Sequence, residues 1–512
     1  MVTSPARPDA GLDPVRAARP IRPGERIHVV GAAGAGASAA LLHAAWAGAV
    51  ADGCDPGGPS PYTAAIEAAG LPVAWEHDAA HVTRTPPPDR LAVTKALTAI
   101  APDHPELVAA RDPGVPVEPW QQVVADAAAG RVLVGVAGTH GKSTTAGWLV
   151  HVLVEAGLDP AAFVGALLPA ELSVGVAATA RQGTGPFVVE ADEYAGNFDA
   201  YRPDLAVVTN LEWDHPDVFA DRNAVIGAVE AWLRRGGDDS RRTLACVNVT
   251  DQGSAELARR LRTGWSGRVI ATALVDDEAQ VPEIEEAFGP SLIGRIVATD
   301  PEKTVLWITG SALPTSVVSL RVQLRLVGRH NAANALGAAA AALALGVPAE
   351  LVATVLPTFR GVGRRLERKG EVAGVVVFDD YGHHPTAIRE TLAAVRQLAP
   401  GRRVWAVYEP LTFHRTAALL DDFANVLATA DGVAVADIWA GRDRDTTITS
   451  ASALAKAVAA RNGAIPVAAP GSVEATARWL AGEVRSGDAV LVMGGGRSYR
   501  IGEELLELLA DR

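Results

Sequence analysis

Lysine is scarce in this sequence of 512 residues. Arginine supplies almost all of the 46 basic side chains, and the lysines are Lys95, Lys142, Lys303, Lys369 and Lys456. An arginine bias of this kind is typical of genome composition and by itself says nothing about function. A lysine inside a recognisable motif nevertheless carries more weight than usual here, because so few lysines are available to fall there by chance.

Disulfide frameworks, long apolar runs and a secretory leader are also missing. Cys54 and Cys246 lie far apart in the sequence, and two such residues cannot build a disulfide framework. No apolar run reaches the ~18 residues that a membrane-spanning helix needs. The first 24 residues are rich in proline and arginine without an apolar core, so we expect a flexible tail and not a signal peptide. These features predict a cytoplasmic protein.

The chain has no surplus of basic charge. Its 46 Lys and Arg residues face 59 Asp and Glu residues, which gives a net charge of −13. Without an overall basic footprint, neither nucleic acid nor an anionic membrane is expected as a partner. Small phosphorylated molecules are still within reach, because local backbone N–H groups can bind them. Composition leaves a monomer and a homodimer equally open.

Length and element order predict three α/β domains. At roughly 150 residues per domain, 512 residues correspond to about three units. Strand-like runs at 26–31, 131–136 and 375–380 alternate with helical segments, which is typical of parallel sheets covered by helices. We expect a flexible tail over 1–24 and domains over 25–130, 131–327 and 328–512.

A phosphate-binding loop lies at residues 138–145, GTHGKSTT. A glycine-rich turn between a strand and a helix lets backbone N–H groups surround an anion. Lys142 would neutralise the terminal phosphates, and the Ser143 hydroxyl would bind Mg²⁺. The full Walker pattern has a glycine where this chain has Val136, but the GKST core and its setting still favour a nucleotide site.

A second glycine turn occupies residues 31–36, GAAGAG. Its GxxGxG spacing differs from the GxGxxG dinucleotide fingerprint. Asp55, about twenty residues further on, is placed to bind a ribose. Tight packing explains the same glycines, and both interpretations stay open. If both turns bind phosphates, the chain has two different phosphorylated ligands.

Acidic residues and histidines follow several predicted strands. Residues 190–193 (EADE) and 210–215 (NLEWDH) end two strands, and 379–384 (DDYGHH) follows a third. Parallel strands end at one edge of a sheet, so the side chains of 190–193 and 210–215 are candidates for holding Mg²⁺ beside the phosphate loop, with a solvated rim as the alternative. Adjacent histidines on an extended chain point to opposite faces, which favours substrate positioning by His383 over a zinc site.

These segments together resemble the Mur ligase family, the ATP-dependent amide-forming ligases of peptidoglycan synthesis. The resemblance covers about residues 26–512, and the segments occur in family order. The matching segments are 31–38, 100–106, 138–145, 190–194, 209–215, 328–335, 364–367 and 379–386. It implies a Rossmann-like N-terminal domain for the UDP moiety, a central P-loop ATPase-like domain with a parallel sheet for ATP, and a Rossmann-like C-terminal domain that brings the amino acid.

The resemblance also implies roles for individual residues. For ATP it implies Gly138, Thr139, His140, Gly141, Lys142, Ser143, Thr144, His330, Asn331, Asn334, Arg365 and Asp380. For two Mg²⁺ ions it implies Ser143, Glu190 and His215. For the UDP-sugar, the muramoyl carboxylate and the amino acid it implies Gly34, Ala35, Gly36, Ser38, Asp55, His77, Tyr381, His383 and Arg415. The catalytic set is Lys142, Glu190, His215, His383 and Arg415.

Within the family, the resemblance is strongest to the member that joins L-alanine to the carboxylate of UDP-N-acetylmuramate through an acyl phosphate. The later ligases use a carbamylated lysine in the central domain, and the absence of lysine between Lys142 and Lys303 excludes that device. Glu409 and Leu411 depart from the pattern of the alanine-adding member. Addition of the tripeptide L-Ala–D-Glu–diaminopimelate, or of another amino acid, is therefore the alternative.

Two further hypotheses come from other classes of protein. A NAD(P)-dependent dehydrogenase would use the first glycine turn, but the GKST loop has no role in hydride transfer. A catalytically inactive regulator would keep the fold and lose the chemistry, whereas this chain has Lys142, Ser143, Glu190 and His215 all in place.

Overall fold

The computed structural model describes residues 12–111, 114–173, 175–236, 243–441, 443 and 445–511. Three α/β units follow one another along the chain, each built on its own sheet. The predicted fold class is thereby confirmed. Among the described residues, no helix combines the length and the apolar character needed to cross a membrane.

The first domain is a five-stranded parallel sheet in the order β3-β2-β1-β4-β5. Its strands are β1 (Arg26–Val30), β2 (Val50–Cys54), β3 (Val73–Ala74), β4 (Arg90–Val93) and β5 (Val117–Pro119). Its helices are α1 (Ala35–Trp46), α2 (Ala64–Ala68), α3 (Ala80–Thr83), α4 (Lys95–Ile100), α5 (Pro105–Arg111) and α6 (Trp120–Ala127). Apolar cores lie on both faces of this sheet.

The central domain is a ten-stranded sheet in the order β15-β14-β13-β12-β11-β10-β6-β9-β7-β8. Its strands are β6 (Leu133–Ala137), β7 (Ala161–Leu168), β8 (Ala178–Arg181), β9 (Phe187–Ala191), β10 (Leu205–Val208), β11 (Leu244–Asn248), β12 (Arg268–Val275), β13 (Ser291–Asp300), β14 (Lys303–Thr309) and β15 (Leu320–Leu324). Its helices are α7 (Lys142–Glu155), α8 (Arg222–Arg234), α9 (Gln252–Leu261), α10 (Val281–Phe288), α11 (Arg329–Ala344) and α12 (Ala349–Val355). Strand β6 lies between β9 and β10 and is parallel to both, so the loops after these three strands meet at one edge.

The third domain is a six-stranded sheet in the order β16-β17-β21-β18-β19-β20, with only β16 antiparallel. Its strands are β16 (Glu367–Val372), β17 (Val375–Asp380), β18 (Arg403–Glu409), β19 (Gly432–Ala436), β20 (Val467–Gly471) and β21 (Asp488–Gly494). Its helices are α13 (Pro385–Leu398), α14 (Phe413–Ala418), α15 (Leu420–Leu427), α16 (Ala451–Arg461), α17 (Val473–Glu483) and α18 (Tyr499–Ala510).

The predicted boundary at residue 327 needs correction. Helix α11 packs on α7 and on β12 and β13 of the central sheet, and α12 packs against β15. Their alanines and valines belong to the same apolar core as β6 and α7. The strands of the third sheet begin only at Glu367. Residues 329–355 therefore complete the central domain, because their apolar faces are buried there.

The expectation of a flexible tail over 1–24 is wrong for residues 12–24, while residues 1–11 lie outside the described chain. The Arg16 guanidinium donates to Glu118 at 2.7 Å and to Asp126 at 2.7 Å. The backbone N–H of Asp13 donates to Val117 O at 2.8 Å, and Ile21 is buried in the core. Ion pairing with buried carboxylates thus fixes this segment to the first domain.

Helix α1 joins the first domain to the central one. It packs on β7 and β8, where the Ser38 hydroxyl lies 3.1 Å from Thr179 Oγ1 and His43 Nε2 lies 2.9 Å from Ala162 O. Ser38 is fully buried in this interface, and its contact with the UDP-sugar stays a prediction. Burial lowers the pKa of His43 to about 4, so the imidazole is neutral in this interface and its Nε2–H donates to the carbonyl.

We expect the free energy of unfolding to fall on acidification because His43 is buried in its neutral form. Because its folded pKa lies below the unfolded value near 6.5, its contribution is complete above that pH and is lost as the pH falls toward 4. At pH 5 the loss is about 2 kcal/mol. Denaturant unfolding of His43→Gln, which keeps an N–H donor, should show a smaller stability difference between pH 7 and pH 5 than the unsubstituted chain.

The exposed His414 supplies the matched control. His414→Gln should retain the full pH dependence. An unchanged pH dependence in His43→Gln would contradict the assignment of this histidine as a buried neutral group.

Candidate functional site

A cavity of about 570 Å³ lies between the central and third domains. Central residues supply one side, from the phosphate loop, the ends of β9 and β10, and the start of α11. Third-domain residues supply the other side, from the loop after β17 and from α14. The polar loops of two sheets therefore face each other across one space.

The glycines of the phosphate loop are required by close approach as well as by backbone angle. Gly138 has φ +132° and Gly141 has φ +80°, in the region that favours glycine. A Cβ on Gly138 would lie 2.1 Å from Thr209 Oγ1, and one on Gly141 would lie 2.3 Å from Asn334 Oδ1. Gly141 immediately precedes α7, so its turn aims the first N–H groups of that helix into the cavity.

Lys142 is the first residue of α7 and lies among carboxylates. Its Nζ donates to Gly138 O at 2.6 Å and to Glu193 Oε2 at 3.0 Å, and it lies 3.7 Å from Asp192 Oδ1. Burial disfavours the charged ammonium, but the negative charges of Glu193, Asp192 and Glu190 outweigh that effect and raise the pKa of Lys142. The lysine is therefore a fixed positive charge at the loop.

An acidic group follows β9 beside the lysine. Glu190 Oε2 accepts from the Gly165 N–H at 2.7 Å, and a side chain at Gly165 would collide with that carboxylate. Ligand atoms of Asp192, Glu193 and His215 all lie within 4.8 Å of one another. Oxygen donors next to a phosphate loop are what Mg²⁺ prefers, so the residues present fit this ion.

The third domain is attached to this edge through Arg415 of α14. Arg415 is 1% exposed, its Nε donates to Asp214 Oδ1 at 2.7 Å, and its Nη2 donates to His215 Nδ1 at 3.1 Å. Burial opposes ionisation of Asp214, but the charges of His215 and Arg415 hold its pKa well below the ordinary value. Nη1 of Arg415 has no hydrogen-bond partner among the described residues, and the side chain lines the cavity.

Two more contacts cross the cleft. Arg365 Nη2 donates to Ser143 Oγ at 3.0 Å, and the guanidinium lies 4.7 Å over the ring of Tyr381. His384 Nδ1 lies 3.1 Å from His140 Nε2 and 3.4 Å from Glu212 Oε2. The predicted residues Arg365, His140 and Ser143 are therefore brought together, although they come from two domains.

His383 is neutral, and its hydrogen bond shows which ring nitrogen carries the proton. Nδ1 lies 2.9 Å from Tyr381 O, and a carbonyl only accepts, so Nδ1 carries the proton. Burial and the nearby charge of Arg415 lower the pKa of His383 well below its ordinary value. Nε2 is then an acceptor beside Arg415. Leu411 also lines this part of the cavity, whereas Glu409 is buried next to Gly496.

The predicted adenine residues lie at the start of α11. His330, Asn331 and Asn334 line the cavity, and Asn331 Nδ2 donates to Val327 O at 2.8 Å. Burial lowers the pKa of His330 to about 4. Asp380 borders the same cavity, but its carboxylate accepts from the N–H groups of Leu366 and Gly382. That carboxylate thus supports the third domain's own loops.

The first-domain candidates lie apart from this cavity, on their own sheet. Gly34 is the N-cap of α1, Ala35 and Gly36 are its first two residues, and Asp55 accepts from the Ala33 N–H at 3.1 Å. The carboxylate therefore braces the glycine turn. His77 Nδ1 lies 3.3 Å from Cys54 Sγ.

Several residues at the cleft were not singled out from the sequence. Asp214, Glu193, Glu212 and His384 form the closest charged contacts across or beside the loop. Each lies within one of the polar runs at the strand ends, 190–193, 210–215 and 379–384. Membership of such a run was the only feature of the sequence that could have pointed to these residues. Their individual partners are 51 to 201 residues away and leave no local trace.

Three family models match the chain in succession. The Mur ligase family catalytic domain matches residues 26–131, the Mur ligase middle domain matches 136–342, and the Mur ligase glutamate ligase domain matches 364–496. The middle-domain match extends through α11, in agreement with the packing of that helix on the central sheet.

Curated relatives match over nearly their whole length. UDP-N-acetylmuramate–L-alanine ligase of Kineococcus radiotolerans is 37% identical over 95% of this chain and 97% of its own. The ligase of the same name from Frankia casuarinae is 37% identical over 95% of this chain and 98% of its own.

Solved structures share the three-domain architecture. UDP-N-acetylmuramate–alanine ligase from Thermotoga maritima aligns with a TM-score of 0.74 at 22% identity, covering 94% of this chain and 98% of its own. A murein peptide ligase from Psychrobacter arcticus aligns with a TM-score of 0.70 at 24% identity, covering 96% and 99%. At these identities the likeness concerns the fold.

We expect Gly165→Ala to weaken Mg²⁺-dependent binding of an ATP analogue by about 10-fold to 100-fold. The added Cβ would lie 2.8 Å from Glu190 Oε1 and would displace the carboxylate from its N–H donor. Titration calorimetry with and without Mg²⁺ measures the effect. Gly227→Ala, in a helix with nothing within 4 Å of the new Cβ, is the matched control. Equal affinities for the two variants would show that Glu190 takes no part in ion binding.

Proposed function

The chain belongs to the Mur ligase family, and from that premise we propose that it joins L-alanine to the carboxylate of UDP-N-acetylmuramate at the expense of ATP. Curated relatives with that activity in their name, 34–37% identical over about 95% of the chain, support the choice of substrates. The products are the amide, ADP and phosphate.

One observation carries the proposal. Arg415 lines the cavity, and its buried Nη1 has no hydrogen-bond partner among the described residues, while Lys142 and the phosphate loop line the other side. A guanidinium N–H without a protein partner is a strong donor for a carboxylate. The cavity therefore offers one positive group for the acid substrate and another for the nucleotide phosphates, which is what transfer of a phosphoryl group to a carboxylate requires.

The same residues fit Mg²⁺. We propose that Ser143 and Glu190 hold one ion and that His215 holds a second, with Asp192 and Glu193 nearby. Bound Mg²⁺ supplies charge neutralisation between the phosphates and the attacking carboxylate. In this arrangement Lys142 stabilises the leaving phosphate charge, since its ammonium is held at the mouth of the loop.

The amide is formed in two steps. The muramoyl carboxylate, held by Arg415, attacks the γ-phosphorus of ATP to give an acyl phosphate and ADP. The amine of L-alanine then attacks the acyl carbon, and phosphate leaves. His383 is neutral with Nε2 as acceptor, so it can accept a hydrogen bond from the attacking amine. Confinement of the acyl phosphate between the two domains limits its contact with water.

For the sugar nucleotide we propose the turn formed by Gly34, Ala35 and Gly36, together with Asp55 and His77. Gly34 caps α1, Ala35 and Gly36 are its first two residues, and Asp55 braces the turn before it at Ala33, as in a phosphate-binding turn. His330, Asn331 and Asn334 at the start of α11 are proposed for the adenine. A cytoplasmic location is part of the proposal, and the two cysteines, which are free and buried, agree with a reducing compartment.

A phosphate-release assay tests the proposal. With ATP, Mg²⁺ and UDP-N-acetylmuramate, release should depend on L-alanine among the twenty amino acids. Lys142→Ala should lower kcat by at least about 100-fold, because it removes charge stabilisation at the phosphates. Lys303→Ala, at a half-exposed lysine on β14, is the control and should retain activity.

Other outcomes would replace the proposal. Release only with the tripeptide L-Ala–D-Glu–diaminopimelate would assign the tripeptide-adding reaction, and Leu411 in the cavity would then belong to a wider amino-acid pocket. A change in NAD(P) absorbance without ATP use would contradict a ligase altogether.

A further inference from the structure

A second cluster of metal-binding side chains lies in the first domain, away from the ATP cleft. His28 of β1, Cys54 of β2, His81 of α3 and Glu106 of α5 meet in the layer between the sheet and the helices α3 and α5. Four of the chain's twelve histidines lie in or next to this layer, together with one of its two cysteines. These are the residue types that zinc prefers.

Glu106 is the centre of the cluster. Its Oε1 lies 2.9 Å from Cys54 Sγ, 2.7 Å from His81 Nδ1 and 3.7 Å from His28 Nε2. All four ligand atoms lie within 4.8 Å of one another. Ligand atoms around a tetrahedral zinc are about 3.3–3.8 Å apart, so small side-chain movements would bring the four atoms onto one ion.

The orientation of His28 points to a ligand. Its Nδ1 lies 2.7 Å from Asp52 Oδ1, and because a carboxylate only accepts, Nδ1 carries the proton. Nε2 faces Glu106 at 3.7 Å, beyond hydrogen-bond distance, and has no hydrogen-bond partner among the described residues. His28 is 1% exposed. A histidine whose outer nitrogen donates to a carboxylate while its inner nitrogen faces other ligands is the usual arrangement around zinc.

Hydrogen bonding within the cluster leaves other polar groups unsatisfied. Glu106 Oε2 is fully buried without a hydrogen-bond partner among the described residues, and so are both ring nitrogens of His104. Buried polar atoms without partners are costly. An ion bound through Glu106 would neutralise the carboxylate that all these groups surround.

We propose that His28, Cys54, His81 and Glu106 form a structural site for Zn²⁺ or a similar divalent transition metal. Four protein ligands close the coordination sphere, which is typical of structural and not of catalytic zinc. Binding displaces the Cys54 thiol proton to solvent, because the thiolate is the ligand. It also requires the His81 proton to move from Nδ1, which faces Glu106 at 2.7 Å, to Nε2, so that Nδ1 can ligate as a neutral imidazole nitrogen. The ion would tie β1 and β2 to α3 and α5. The site lies outside the ATP cleft and next to the proposed sugar-nucleotide residues, since Cys54 Sγ lies 3.3 Å from His77 Nδ1.

Cobalt titration of the full chain tests the site. The reduced protein is stripped with a chelator and titrated with Co²⁺ in excess Mg²⁺, which occupies the oxygen-rich cleft. We expect one Co²⁺ per chain, with a thiolate-to-cobalt charge-transfer band and intense visible bands of four-coordinate Co²⁺, all abolished by Zn²⁺. Zn²⁺ should also raise the midpoint of thermal unfolding.

Variants identify the ligands. Cys54→Ser should remove the charge-transfer band, while Cys246→Ser, at the other buried cysteine, should keep it. His81 is partly exposed, so His81→Gln is expected to fold, and it keeps the Cys54 thiol. This variant should weaken Co²⁺ binding at least about 10-fold. It tests the site even if Cys54→Ser does not fold. A missing charge-transfer band, a band lost in Cys246→Ser, or unchanged affinity in His81→Gln would overturn the proposal.

Discussion

The buried ion pair between Arg415 and Asp214 is the contact on which the site depends. It joins the third domain to the central domain at the carboxyl edge of the central sheet, at an Nε–Oδ1 distance of 2.7 Å. Both side chains are almost fully buried, so either one alone would be an uncompensated charge, costing about 3–5 kcal/mol. In the same interface Arg365 contacts Ser143 and His384 contacts His140. The ion pair thus joins loops of the central domain to loops of the third domain, and the cleft lies between them.

In the central domain, glycines of the phosphate loop allow close packing at the carboxyl edge of the sheet, and Lys142 places a positive charge there. Gly138 and Gly141 bring the loop against Thr209 and Asn334 without side chains in between. Lys142 then faces the carboxylates after β9, which hold it charged despite burial. The scarcity of lysine makes this one more informative, since so few lysines are available to fall in the loop by chance. A compact ammonium suits a phosphate loop, and the planar guanidinium of Arg415 suits a carboxylate.

The sequence predicted the parts of the structure that are local. The phosphate loop, the polar strand ends and the three α/β units follow from runs of adjacent residues, and the family models match the chain in the same order. Contacts over long separations could not be predicted in this way. Arg16 pairs with Asp126, 110 residues away, so the segment before Glu25 read as a loose tail. The alanine-rich sequence of α11 does not indicate which sheet the helix covers. The boundary between the central and third domains was therefore predicted too early in the chain, at residue 327.

If Arg415 acts as one unit with Asp214 to assemble the site, substitutions of the two residues have effects that are not independent. A double-mutant cycle on kcat/KM for L-alanine-dependent phosphate release measures this coupling directly. Asp214→Asn and Arg415→Gln should each lower kcat/KM by on the order of 100-fold or more. The kcat/KM of the double variant should be no lower than that of the less active single variant. Losses that simply multiply in the double variant would show that the two residues act independently and do not assemble the site as one unit.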